Sequence, residues 1–236
     1  MMQNDNLYFG KDLEAMSFAR NYHQWILEEF MPYIGEEVAE VGAGVGNFSD
    51  YLLNSTAKRI TAFEPSDNMY PSLESKFSEN AAVTPVNAFF EDKVKDHTEQ
   101  FDSVCYVNVL EHIEYDREAL EAAYESLRPG GHVLIFVPAL SFLYSNLDKD
   151  LGHYRRYSRK GLAAVAEAAG FRVNKIHYVD IVGIIPWYIV FVLMKKTMVG
   201  SSVSTYDSWV VPVVKKLEQM IRPFLGKNLM LVGQKK

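Results

Sequence analysis

Glu37-Val38-Ala39-Glu40-Val41-Gly42-Ala43-Gly44-Val45-Gly46-Asn47-Phe48 is the stretch on which the fold turns. Its first five residues read as a buried strand, three glycines follow at alternate positions, and a helix is predicted to start at about Asn47. Glycine at these places permits positive φ and lets a ligand approach the backbone closely. The pattern is near the dinucleotide fingerprint G-x-G-x-x-G, but that motif requires glycine at position 47, where Asn47 stands. A pyrophosphate needs the helix N-terminus clear for its charge. A ligand with a cationic end needs an acidic neighbour instead, and Glu40 is placed to supply one.

Outward from this stretch the chain alternates. Short β-rich runs end at Glu64, Phe90, Val109 and Pro138, and between most of them lie segments of helical spacing such as Leu120, Tyr124 and Leu127. That is the pattern of βαβ units and a parallel sheet. Pro129-Gly130-Gly131 is expected to stop a helix that begins near Asp116, and Ser158 to cap one that Gly170 closes. Further strands are predicted over residues 171–179 and at the C-terminal 228–234, with a mostly helical insertion between them and an N-terminal helix over 18–30. Glu64 follows the glycine loop by about twenty residues, the separation at which a carboxylate accepts hydrogen bonds from ribose hydroxyls.

Four groups of residues, in order over positions 36–140, resemble successive motifs of the class I S-adenosylmethionine-dependent methyltransferases. They are Glu40-Val41-Gly42-Ala43-Gly44-Val45-Gly46, then Phe63-Glu64-Pro65, then Phe101-Asp102-Ser103-Val104 with Asn108-Val109-Leu110-Glu111-His112-Ile113, and last Leu127-Arg128-Pro129-Gly130-Gly131-His132-Val133. The resemblance implies an α/β fold with a Rossmann-like seven-stranded sheet, mostly parallel with an antiparallel last strand, and helices on both faces. It implies S-adenosyl-L-methionine as cofactor and S-adenosyl-L-homocysteine as product. Glu40, Gly42, Ala43, Gly44, Gly46, Asn47 and Phe48 would hold the amino-acid end, Glu64 and Pro65 the ribose, Ala88 and Phe89 the adenine, and Asn108, Val109 and Leu110 would lie beside the donor. The expected organisation is one methyltransferase domain: a helical cover over 1–35, the donor core and acceptor loop over 36–180, a helical insertion over 181–225 and the final strand over 226–236.

Ligands of open α/β sheets lie beyond the carboxyl ends of the strands, so the loop after Pro138 should face the transferred methyl. Arg155, Arg156, Arg159 and Lys160 cluster there at a predicted helix start, where the macrodipole disfavours positive charge. Either they meet an anionic acceptor group, with Tyr144, Arg155, Arg156 and Tyr157 as the binding residues, or Asp148 and Asp150 pair them internally. The tract Gly152-His153-Tyr154-Arg155-Arg156-Tyr157-Ser158 resembles one in poorly characterised bacterial small-molecule methyltransferases. His153 and His112 are the candidate catalytic bases for a hydroxyl acceptor. The pair Glu111-His112 is also similar to one in ubiquinone-pathway O-methyltransferases, where a further acid helps hold a metal. Asn108 stands in that acid's place, so no metal is expected.

Composition bounds the rest. The chain has 236 residues, 48% of them hydrophobic, enough for one α/β domain with an insertion. Its net charge of -6 offers no global attraction for a phosphate backbone, so the expected partner is a small-molecule or lipid-like acceptor and not nucleic acid. Residues 1–11 are polar and carry no export signal, which with a single buried cysteine, Cys105, suggests a cytoplasmic location. The apolar run 181–194 is too short to span a bilayer and contains Pro186; either it packs internally as a lid over the acceptor site, or it forms an exposed patch, for which Trp187, Tyr188 and the closing Lys195-Lys196 suit peripheral membrane contact and a homodimer interface is the alternative. The run 209–221 reads as a helix packed through Val210, Val213, Val214, Leu217 and Ile221. Competing functions are a nicotinamide-dependent oxidoreductase, disfavoured by Asn47 and the Pro-Gly-Gly turn, and a cofactor-binding adaptor without catalysis.

Overall fold

Seven strands form one sheet in the order β3-β2-β1-β4-β5-β7-β6. They are β1 (Glu37–Val41), β2 (Arg59–Phe63), β3 (Val83–Val86), β4 (Phe101–Val107), β5 (Leu127–Pro138), β6 (Arg172–Val179) and β7 (Asn228–Gln234). β1 pairs in parallel with β2 and β4, and the outer pairs β2–β3 and β4–β5 are parallel too. β7, inserted between β5 and β6, runs opposite to the other six strands and pairs antiparallel on both sides. The computed structural model describes residues 19–196 and 202–236. The expectations placed on 1–18, including the polar start and the front of the helical cover, and on 197–201 lie outside the described residues.

Alternate residues along the strands divide between two cores, as a period of two requires. Val104, Tyr106, Val133 and Ile135 join a core with helix α4 (Asp116–Ser126) and helix α5 (Arg159–Ala168). Cys105, Leu134 and Phe136 point into the other, beneath α1 (Arg20–Phe30), α2 (Asn47–Leu52), α3 (Tyr70–Phe77) and α6 (Val211–Met220). The inner strand β1 is buried along its whole length, so its two acids are committed to internal partners: Glu37 pairs with Arg59 and Glu40 turns into the site.

Several boundaries differ from those read in the sequence. β2 stops at Phe63, which leaves Glu64 as the first loop residue, and β3 stops at Val86 while Phe90 opens a short helical turn. Asn87 explains the early stop, because its side-chain amide donates to the Glu64 carbonyl at 3.0 Å and turns the chain out of the sheet. Pro129-Gly130-Gly131 does not stop the helix. α4 has already ended at Ser126, and these residues lie within β5.

The insertion comprises a turn of α-helix at Ile184–Trp187, continued as π-helix through Tyr188–Leu193, and a second helical run from Ser202 into α6. Its acids are turned inward to hold it in place. Asp207 accepts the backbone N–H groups of Asn21 and Tyr22 at 3.0 and 2.9 Å, capping α1, whose own N-cap residue Ala19 supplies no side-chain cap. Glu218 accepts those of Asp180 and Ile181. α6 therefore buries Val211, Val214 and Glu218, while Val213, Leu217 and Ile221, read in the sequence as part of its packed side, face outward. Trp187 is also not an outward anchor: its indole N–H donates to the Leu143 carbonyl at 3.0 Å and its ring lies under the Arg156 guanidinium.

Candidate functional site

Beyond the carboxyl ends of β1, β2 and β4 lies a cavity of about 710 Å³, within the usual size range for a small-molecule site. Gly42 and Gly44 line it with φ of +66° and +60°. A Cβ at Gly42 would come within 2.7 Å of Val109, so this turn admits only glycine. Glu64 is buried at the end of β2, where its carboxylate accepts the N–H of Gly44 at 2.7 Å and of Ser66 at 2.8 Å. Each carboxylate oxygen keeps a further lone pair for a ligand hydroxyl. Glu40 is fully covered and accepts from Ser49 Oγ; burial pushes its carboxyl up to about 8. Asn47 Nδ2 is buried on the same wall with no hydrogen-bond partner among the described residues.

The residues expected to hold the donor converge here. Glu40, Gly42, Ala43, Gly44, Asn47, Phe48, Glu64, Pro65, Ala88, Phe89, Asn108 and Val109 all line the cavity. Gly46 and Leu110 do not: Gly46 sits behind the loop at the start of α2, against Leu73 and Phe77, and Leu110 is sealed in the core. His23, Ser66, Met69 and Glu91 also line it and were not read from the sequence. His23 comes from α1, and nothing local in the sequence marks it.

A second cavity of about 320 Å³ adjoins the first, and Asn108, at φ +54° just past β4, stands in the wall of both. Its walls are mostly apolar: Phe136 and Leu147 from the core side, and Trp187, Val190, Phe191 and Val211 from the insertion. His153 and Arg156 bring the polar groups of the long loop into it, joined by Lys227.

His153 and Arg156 are organised around Asp148, which is completely buried, while Lys227 pairs with Asp180. The Asp148 carboxylate accepts from Arg156 Nε at 2.7 Å and from the N–H and Oγ of Ser145 at 2.8 and 2.7 Å, and it meets His153 Nδ1 at 3.2 Å. Burial works against its charge, yet the hydrogen bonds from His153 and Arg156 hold the carboxyl below its ordinary value. An ionised Asp148 fixes the proton of His153 on Nδ1 and leaves Nε2 as the accepting atom. His112 lies edge-to-face on His153 with ring centroids 4.5 Å apart; burial, and then the neighbouring His153, push it down to about 3, so it is neutral at physiological pH.

The two adjacent arginines part company. Arg156 reaches the second cavity and pairs with Asp148. Arg155 lies outside both cavities, on Asp116 at 2.7 Å and the Glu114 carbonyl at 2.6 Å. Internal pairing thus occurs, but only Asp148 of the two acids named in the sequence takes part, and Asp116 replaces Asp150. Tyr157 is buried with its hydroxyl on Asp116 at 2.8 Å, and Tyr144 donates to the His153 carbonyl at 2.6 Å; neither lines the cavity. Where the sequence led to no metal site, the fold brings ligand atoms of Glu111, His112 and His153 within 4.8 Å of one another, close enough to hold an ion together.

The sheet order, with its antiparallel seventh strand, and a glycine-cradled cavity beyond β1 and β2 define a Rossmann-like methyltransferase fold. A family model described as a methyltransferase domain matches residues 14–176, more than half of the chain, and the chain belongs to that family. It is 25% identical over 124 residues to the mitochondrial ubiquinone biosynthesis O-methyltransferase of Dictyostelium discoideum, a match covering 48% of this chain and 38% of that protein. It is 29% identical over 112 residues to a tRNA U34 carboxymethyltransferase of Campylobacter hominis, covering 47% and 39%. The chain therefore spans less than half the length of these relatives. In fold it is similar to an S-adenosylmethionine-dependent methyltransferase from Archaeoglobus fulgidus, with a TM-score of 0.60 at 20% identity over 89% of this chain and 91% of that one. One relative carries tRNA in its name, so the exclusion of nucleic acid drawn from net charge finds no support among the relatives.

S-adenosylmethionine is the cofactor that this family and fold imply, and the residues present fit it. The glycine turn leaves room for close backbone approach, the desolvated Glu40 favours a cationic neighbour, and the unpartnered amide of Asn47 awaits an acceptor. Among the described residues no helix is long and apolar enough to cross a membrane.

Proposed function

We propose that this chain transfers a methyl group from S-adenosylmethionine to a hydroxyl on a small, lipid-like acceptor held in the second cavity. The observation that carries this reading is Asn108, which stands in the wall of both cavities and so brings an apolar pocket containing His153 alongside the donor pocket. S-adenosylmethionine supplies an electrophilic methyl on a sulfonium. The chain supplies alignment and a base, and alignment alone accounts for much of the acceleration in a direct displacement. Glu40 and Asn47 take the amino-acid end, Glu64 the ribose hydroxyls, and Ala88 and Phe89 the adenine, with Gly46 and Leu110 supporting from behind.

On the acceptor side, His153 Nε2 takes the hydroxyl proton while Asp148 balances the charge that develops on the ring. His112 positions that ring and is too weakly basic to compete for the proton. Arg156 and Lys227, each already paired with an acid, offer their remaining N–H groups to a polar or anionic end of the acceptor. Arg155 and Tyr157 meet on Asp116 and hold the loop in place. The insertion forms the apolar wall that excludes water from the transfer.

The test has two stages. Calorimetry should show saturable binding of S-adenosylhomocysteine and none of a nicotinamide dinucleotide; the reverse would make the chain an oxidoreductase. Labelled methyl transfer into fractionated extracts should then enter a lipid fraction. Donor binding with no transfer into any fraction would leave an adaptor, and labelled tRNA would replace the lipid-like acceptor with a nucleic acid.

A further inference from the structure

The segment 181–227 differs in charge from the rest of the chain. It holds six basic residues and two acidic ones, a net of +4 in a chain whose net is -6. Both acids, Asp207 and Glu218, are buried and spent on backbone N–H groups. Lys195, Lys196 and Lys216 are exposed and take part in no ion pair found among the described residues. The exposed charge of this segment is therefore wholly positive.

The same segment presents two apolar stripes to solvent. Along the first helical run Ile185, Ile189 and Leu193 recur at helical spacing on the side away from Trp187 and Val190, which wall the acceptor cavity. Along α6 the stripe is Val213, Leu217 and Met220, opposite the buried Val211 and Val214. Trp209, Ile221 and Phe224 extend it at 77%, 79% and 80% exposure. Large aromatic and aliphatic side chains this open, beside exposed lysines, are rare on a surface that meets only water.

We infer that this outer face docks on an anionic lipid bilayer, with the apolar stripes in the acyl boundary and Lys195, Lys196 and Lys216 among the head groups. Charge decides the occupant. A second copy meeting the same face across a twofold axis would set the positive segment against itself, with its acids buried and unable to compensate. An anionic head-group layer complements it, and the lysine stems reach from apolar surface to phosphate. The inference deepens the acceptor reading, on which its catalytic meaning rests: the segment that meets the lipid by its outer face walls the acceptor cavity by its inner one.

The test is sedimentation of the full chain with phosphatidylcholine vesicles, with and without phosphatidylglycerol. The parent chain should bind the anionic vesicles in preference to the neutral ones, and binding should weaken as salt is raised. Trp209→Glu with Phe224→Glu should abolish binding, and each of Lys195→Gln and Lys196→Gln should weaken it roughly five-fold. All variants should keep S-adenosylhomocysteine affinity and unfolding temperature, because these side chains stand in solvent outside both cavities. No vesicle binding, equal binding to neutral vesicles, or variants that bind like the parent would overturn the inference. So would a dimer in light scattering that the Trp209 and Phe224 substitutions dissociate, which would make the face a contact between copies. Vesicle binding without methyl transfer to lipid would leave the docking standing and remove the acceptor reading; transfer to lipid without vesicle binding would do the opposite.

Discussion

The cavities proposed for donor and acceptor share Asn108 but are built on different plans. The donor cavity is lined by compact stretches at the ends of successive strands, and its main device is backbone: two glycines at positive φ and a carboxylate that accepts from the turn itself. The acceptor cavity draws Tyr22 from α1, Phe136 from β5, Arg156 from the loop, Trp187 and Val211 from the insertion and Asn228 from β7. Its device is a buried side-chain network centred on Asp148. A backbone-built site should lose affinity under substitution without losing the fold. A network-built one should lose chemistry and stability together, because its charges stabilise one another only while buried and paired.

The sharpest test of this contrast is His153→Ala. Removing a general base should lower turnover by about 10² to 10⁴, with S-adenosylhomocysteine affinity unchanged in calorimetry; a parallel loss of donor affinity would show that the cavities are not separable. Next come the neighbouring arginines, compared by denaturant unfolding. Arg156→Ala leaves Asp148 buried without its guanidinium and should cost about 3–5 kcal/mol. Arg155→Ala breaks a partly exposed pair and should cost about 1 kcal/mol or less, so equal losses would erase the distinction between them.

A smaller effect is expected on the donor side. Gly44→Val forces a β-branched residue to φ +60°, which should weaken donor binding roughly a hundredfold and cost about 1–3 kcal/mol of stability, leaving the chain folded. Glu40 predicts a proton. Held at about 8 in the folded chain against an ordinary 4.5, it is protonated near pH 7. A cationic donor end favours the ionised form, so binding at pH 7 should release a proton, seen as heats that vary with the ionisation enthalpy of the buffer, and Glu40→Gln should abolish that variation. Because the folded pKa is raised, this group's contribution to stability is full below about 4.5 and is lost as pH rises through about 8. The smallest effect concerns Glu111, His112 and His153: dialysis against a chelator should leave turnover unchanged, and a loss restored by zinc or magnesium would make this cluster a metal centre.

How much could be read from the sequence follows the same division. The strands around the glycine loop, Glu64 at the end of β2 and the Ser158 cap are all legible, because each depends on a few adjacent residues; the antiparallel last strand came only with the resemblance of the motifs. Positive φ demands glycine locally, a short run closed by a glycine turn reads as a strand even with Glu37 and Glu40 in it, and a cap is one side chain on a nearby N–H. Tertiary structure alone decided the acceptor side. Arg155 and Arg156 are indistinguishable in sequence, and only packing sends one to Asp116 and the other to Asp148. Nothing near α1 announces that Asp207, 186 residues from Asn21, caps it. In α6 the apolar residues run round much of the helix, so periodicity could not choose the buried side; the hydrogen bonds of Glu218 to Asp180 and Ile181 did, and they turned Val213, Leu217 and Ile221 outward. Local backbone preference is written residue by residue, whereas the partner of a long charged side chain is fixed only when distant segments come to lie against it.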